Sequence, residues 1–249
     1  MSAAQPIILY ENRFSDATPA ASTTATGYSV LNVRDWRPYT WWKPTASPST
    51  ITVNCGSAKA ADYGLVYAEA GTYEIRGSTD NFGASDVLKG TITLTATGLG
   101  LVQFASVSYQ YWRVKSTSGT PAIAIASIGA ALTIPAWPDQ GFDPLGRKVH
   151  GEFNRSVMGN PLGRVTDWEE WSDELKFTLV STDTGWTWAR NTFLPAWRAH
   201  LRDKPFVYAW EPGDHPTELV LVAARDEFST PHQSGSLCDL RLPVTGVIT

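Results

Sequence analysis

Seven residues, Trp36-Arg37-Pro38-Tyr39-Thr40-Trp41-Trp42, crowd four aromatic rings and an arginine into one short stretch. Flat aromatic faces stack on sugar rings, while charged side chains hydrogen-bond the hydroxyl groups. A second polar turn, Asp80-Asn81-Phe82, offers similar chemistry. Trp36, Arg37, Tyr39, Trp41, Asp80 and Asn81 are therefore candidate glycan-binding residues. A second reading stays open, in which the tryptophan pair is core and the loop packs on a neighbouring domain or subunit.

Residues able to do catalysis are scattered. The four histidines, His150, His200, His215 and His232, form neither an H-E-x-x-H motif nor a close pair at metal-ligand spacing. No G-x-S-x-G elbow or phosphate-cradling glycine loop is present. Glu169, Glu170, Asp173 and Glu174 form an acidic cluster of the kind that can hydrolyse glycosides when held at the right separation. Between Trp171 and Leu175, however, it reads as a solvated turn before a strand. Gly213-Asp214-His215 reads as a surface turn. The chain is expected not to be an enzyme and to need no cofactor. Asp35, Asp80 and Asp86 are too unspecific to name as metal ligands.

The elements that must carry these residues are mostly strands. Ser49–Cys55, Gly64–Ala68, Thr72–Gly77, Gly90–Thr95, Tyr111–Lys115 and Ala122–Ile128 are short apolar or alternating runs separated by turn residues, the texture of a sandwich. Two prolines, Pro135 and Pro138, interrupt any regular ladder or helix and place a boundary near residue 135. Beyond it, strands are expected at Lys148–Phe153, Glu174–Val180, Phe206–Trp210, Glu218–Ala223 and Leu237–Val244. Trp188, Phe193, Leu194, Trp197 and Leu201 follow helical spacing, with Pro195 expected to kink or begin that helix. The fold class is thus mostly β: a sandwich over 1–135, then a barrel-like β domain with one helix over 136–249.

Composition narrows the functional classes. The 249 residues are 43% hydrophobic and 18% charged, a globular balance. A net charge of -4 gives no general attraction to nucleic acid or an anionic membrane. No apolar run is long enough to span a bilayer, and Met1–Pro6 lacks a basic start, so folding in the cytoplasm of the producing cell is expected. Cys55 and Cys238 read as two buried thiols. Eleven tryptophans suit either an interface, a sugar site or a bulky core.

The first half resembles the discoidin-like domains of the galactose-binding fold. The resemblance rests on Asn32-Val33-Arg34-Asp35, Trp41-Trp42, Ile51–Gly56, Tyr73–Asp80 with its Gly-Ser-x-Asp turn, Tyr109–Val114 and Ile125–Gly129, all in order. It implies ligand loops at one end of a sandwich, with sugars, lipid headgroups or proteins as targets. It also makes one of Trp41 and Trp42 a core plug, and Trp112 and Arg113 fold-holding residues, with Arg113 reaching a carboxylate or carbonyls.

The second half resembles the distal tail and baseplate proteins of long-tailed phages. Here the matching residues are Gly146–Val149, Gly163-Arg164-Val165, Trp168–Trp171, Leu175–Leu179, Phe193-Leu194 with Trp197, and Lys204-Pro205-Phe206-Val207-Tyr208. That resemblance implies a ring of identical subunits joining the tail tube to the tip complex. Its expected partners are copies of itself, the tube, hub and fibres, and a host surface glycan, without nucleic acid or membrane insertion. It places the protein at the virion tail tip, assembled in the host cytoplasm.

Overall fold

A computed structural model of the chain describes residues 5–144, 146–180, 185–232 and 237–247. The first four residues, read above for a leader, lie outside these. In chain order the strands are β1 (Ile7–Leu9), β2 (Ala20–Ala21), β3 (Ser49–Ala68), β4 (Gly71–Ser78), β5 (Val87–Leu94), β6 (Gly98–Ser116), β7 (Ile123–Gly129) and β8 (Leu132–Thr133). There follow β9 (Lys148–Arg155), β10 (Pro161–Val180), a helical segment α1 (185–201), β11 (Phe206–Ala209), β12 (Leu219–Ala224) and β13 (Leu237–Val247). The protein is mostly β, a sandwich followed by a second sheet against which the helical segment packs.

The sandwich is built from two very long strands. The first half of β3 pairs with the end of β6, the second half with its start, and the register shifts between Asn54 and Lys59. That irregularity, five residue steps on β3 against two on β6, lets one strand pair serve two layers, because extra residues bend a strand. Ile75 of β4 lies over Gly64 of β3, and Ile92 of β5 over Gly100 of β6, so close that a Cβ on either glycine would collide. Absent side chains thus set the distance between layers. Trp112 and Trp42 are buried in the resulting core. Their indole N–H groups donate to Lys59 O and Thr24 Oγ1. Trp42 is therefore the core plug, and Trp41 is not. Among the described residues Arg113 meets neither a carboxylate nor a carbonyl: it donates to Thr52 Oγ1 and lies 3.6 Å over the Phe82 ring.

The second sheet has the order β8-β1-β11-β12-β13-β10-β9, with open ends at β8 and β9. Its first two strands come from the other side of the expected boundary at residue 135. β1 pairs with β11 through Ile8 and Tyr208, and β8 pairs with β1. Ile7–Leu9 is an all-buried run too short to stand alone, and it is held between β8 and β11 instead. The helix packs Phe193, Trp197 and Leu201 onto this sheet. Pro195 lies inside this segment, near the start of its Leu194–Ala196 turn, rather than at its beginning. The segment widens there, with Leu194 N–H donating to Ala189 O five residues back, which accommodates the missing donor and ring of proline.

Glu169, Glu170, Asp173 and Glu174 lie inside β10, correcting the expectation of a turn. From Trp171 onward β10 pairs with β13; before it, β10 pairs with β9 alone. The β9–β10 hairpin thus runs ten residues beyond the sheet, roughly 30 Å at strand rise. Every residue from Val157 to Glu169 on it is exposed.

Between the sheets lies a third apolar cluster. Ile7, Leu9, Val207 and Leu221 of the second sheet meet Tyr63, Leu65 and Ile125 of the sandwich, with Trp36 among them. The halves therefore share a core. Cys55 and Cys238 are free thiols, the first half-buried with its pKa pushed up to about 11 by burial, the second buried.

Candidate functional site

A cleft of about 970 Å³ opens where the sandwich meets the second sheet. One wall is the 34–39 loop together with residues 10–16; the other comes from α1, the root of the hairpin and β12–β13.

Trp36 forms its floor. It has φ +61°, in the left-handed region, and is only 3% exposed. Such a backbone costs a tryptophan on the order of 1–3 kcal/mol. Burying its ring returns roughly 4–6 kcal/mol, at about 25 cal/mol per Å² over some 200 Å². The burial wins, so the strained turn persists. Asp35 staples it: the carboxylate accepts from Arg37 N–H at 2.9 Å and from Thr40 Oγ1 at 2.9 and 3.0 Å. The effect is to turn Tyr39 outward, 71% exposed. Arg37 is exposed beside it.

His200 of α1 stands against Trp36, 5.5 Å between ring centroids, and against Tyr10 at 5.7 Å. Its Nε2 lies 2.9 Å from Pro205 O, and since a carbonyl only accepts, Nε2 carries the proton. Burial holds its pKa below the ordinary histidine value. At the far rim, Trp168 stacks on His150 at 3.7 Å with rings 6° from parallel, leaving Trp168 half exposed. Glu170 lies 3.1 Å from His150 and 3.2 Å from Lys148, and accepts from Thr245 Oγ1. Those partners hold its carboxyl below the ordinary range, so it is an anion rather than a proton donor. Glu169 precedes it on the opposite face of β10, so the two cannot flank one glycosidic bond.

Of the six residues expected from the sequence, the cleft gathers Trp36, Arg37 and Tyr39. Trp41 instead leans on Tyr67 at 5.7 Å, in the apolar layer between the sheets. Asp80 and Asn81 are not in the lining. Asp80 accepts from the backbone N–H groups of Gly83, Ala84 and Ser85, which lower its pKa and close its own loop. Asp86 pairs with Arg76 at 2.8 Å. Among the described residues no group of three or more His, Cys, Asp or Glu side chains stands ready to hold a metal, and no helix is long and apolar enough to cross a membrane. Trp168, His200 and Lys204 were missed as lining residues. They come from three separate segments, and only the register His150↔Trp168 and the docking of α1 bring them to one place.

No family model and no curated protein matches the chain. Several solved structures resemble about half of the chain. The family 32 carbohydrate-binding module of C. perfringens NanJ, solved with galactose, is 16% identical over 49% of this chain and 98% of that one, TM-score 0.43. Chitosan-binding module 1 of the Paenibacillus sp. IK-5 chitosanase/glucanase is 22% identical over 47% of this chain and 98% of that one, TM-score 0.42. A Clostridium perfringens module solved with GalNAc-β-1,3-galactose is 16% identical over 49% and 99% of the two chains, TM-score 0.42.

Proposed function

We propose that the chain is a non-catalytic structural subunit of the tail tip of a long-tailed phage, ringing with copies of itself between tail tube and hub. The observation that carries the assembly part is the β9–β10 hairpin. Phe153, Val157, Met158, Leu162 and Val165 are all exposed on it. An isolated two-stranded ribbon is marginal in water, and apolar side chains on both its faces make it worse. A neighbour that covers the ribbon resolves both problems, and a repeated head-to-tail contact of this kind closes into a ring at the right rotation. The tail assignment itself rests on the order of second-half segments from Gly146 to Tyr208. Antibody-gold labelling of purified virions tests it: label at the tail tip is expected, and its absence from virions ends the reading.

A second reading, favoured by the cleft, is recognition of a host surface glycan. Tyr39 and Trp168 present aromatic faces at its rim beside charged groups. Tyr39→Ala is expected to abolish glycan binding while the protein stays folded; unchanged binding rejects this reading. The two readings are compatible, since a ring subunit can carry a sugar-binding arm.

A further inference from the structure

The charges in the cleft are unequally partnered. Glu11 and Asp16 both face Arg13, at 2.7 and 3.7 Å, and Asp203 pairs with Arg202 at 2.9 Å. Asp35 is occupied by Thr40 and the Arg37 backbone, and Glu170 by His150, Lys148 and Thr245. Every carboxylate in the lining is therefore engaged. Arg13 is engaged with two of them and with Ala60 O, but the other three cations are not. Among the described residues Arg34 has only a long contact, 3.4 Å, to Ala17 O. Among the described residues, the side chains of Arg37 and Lys204 have no acceptor, although both line the cleft. The lining carries five carboxylates and four Arg and Lys side chains, and what it offers an anion is the three of those cations, Arg34, Arg37 and Lys204, that face no carboxylate among the described residues.

From this we infer that the cleft binds a carboxylated sugar, a uronate or sialate unit. The inference rests on the glycan reading of the cleft and adds the class of glycan. Tyr39 and Trp168 supply flat faces for pyranose rings. Arg34 and Arg37 supply planar forks that match a carboxylate in geometry and charge. Lys204, on the opposite wall, supplies a point charge. About 970 Å³ is at the upper end of ordinary ligand pockets and suits a short oligosaccharide. A nucleic acid strand fits less well, because the protein's overall negative charge opposes a dense polyanion at long range.

The test is isothermal titration of the full chain with 3′-sialyllactose and trigalacturonate, against lactose and α-1,4-galactotriose as neutral counterparts. At least one acidic probe is expected to bind about tenfold or more tighter than its neutral counterpart, the worth of one charge-assisted contact. Arg37→Glu with Lys204→Glu is expected to remove that preference, with an unchanged melting temperature because both side chains are exposed. Equal binding of acidic and neutral sugars, unaffected by the double variant, overturns the charge assignment and leaves the glycan reading standing. Binding of none of the four overturns both.

Discussion

Trp36 meets His200 edge-on, with ring centroids 5.5 Å apart and planes at 75°, and that contact joins the two halves of the chain. Trp36 comes from the sandwich loop, His200 from the helix packed on the second sheet. The residue with the most evident ligand chemistry in the sequence is thus mostly consumed by the junction, and its neighbour Tyr39 is left free.

This relationship separates two substitutions that look alike in the sequence. Trp36→Ala is expected to destabilise the protein by about 3–5 kcal/mol, the cost of deleting a buried aromatic. Tyr39→Ala is expected to cost less than about 0.5 kcal/mol, as at most exposed positions. Urea denaturation of both variants checks the contrast, and equal losses would place Trp36 outside the core.

The same contact makes the junction sensitive to pH. The pKa of His200 is lower in the folded state than its ordinary value of 6.5, chiefly because burial disfavours the imidazolium, with Lys204 adding to the effect. The unfolded chain therefore takes up this proton first. The contribution of His200 to stability is complete above pH 6.5 and is lost as pH falls through that value toward the folded pKa. His200→Gln, which keeps an N–H donor for Pro205, is expected to flatten the dependence of stability between pH 7.5 and 5.5. An unchanged pH profile in that variant would contradict it.

Beneath the second sheet, Asp239 is fully buried, with Arg241 at 3.0 Å, Lys176 at 3.5 Å and Thr178 Oγ1 at 3.3 Å. The cations that would be left behind, Arg241 and Lys176, reach solvent, and Lys176 keeps Asp139 at 3.1 Å, so no buried charge is stranded. Asp239→Ala is expected to lose about 1.5–3 kcal/mol, the worth of its charge-assisted hydrogen bonds, measured by chemical denaturation. A loss below about 1 kcal/mol would mean that solvent reaches the site.

Much of the fold was legible in the sequence because it is written locally. The alternation in Ser49–Cys55 and Thr72–Gly77 specified half-buried strands, and both lie within β3 and β4. What was not legible depends on distant pairing. Ile7–Leu9 gives no sign that its partners are Phe206–Ala209, some 200 residues away. The acidic run Glu169–Glu174 has turn-like composition, but the ten-residue ladder from Trp171 to Val180 with β13 overrides it. Within the candidate loop, sequence could not tell Trp36 from Tyr39, because the sign of φ and the approach of α1 decide which ring is buried. Arg113 shows the same limit: its partner is the Phe82 face, held by a loop whose two central residues, Asn81 and Phe82, both have positive φ.

The most direct test of the proposed assembly is mass photometry of the full chain beside a variant carrying Val157→Asp and Met158→Asp at the hairpin tip. Both side chains are almost wholly exposed, so the variant is expected to fold with an unchanged melting temperature. Wild-type particles at a fixed multiple of the 27.2 kDa subunit, collapsing to single subunits in the variant, are the result the account predicts. Wild-type multimers that persist unchanged in the variant, or a wild-type protein that stays single up to concentrations of tens of micromolar, would contradict it.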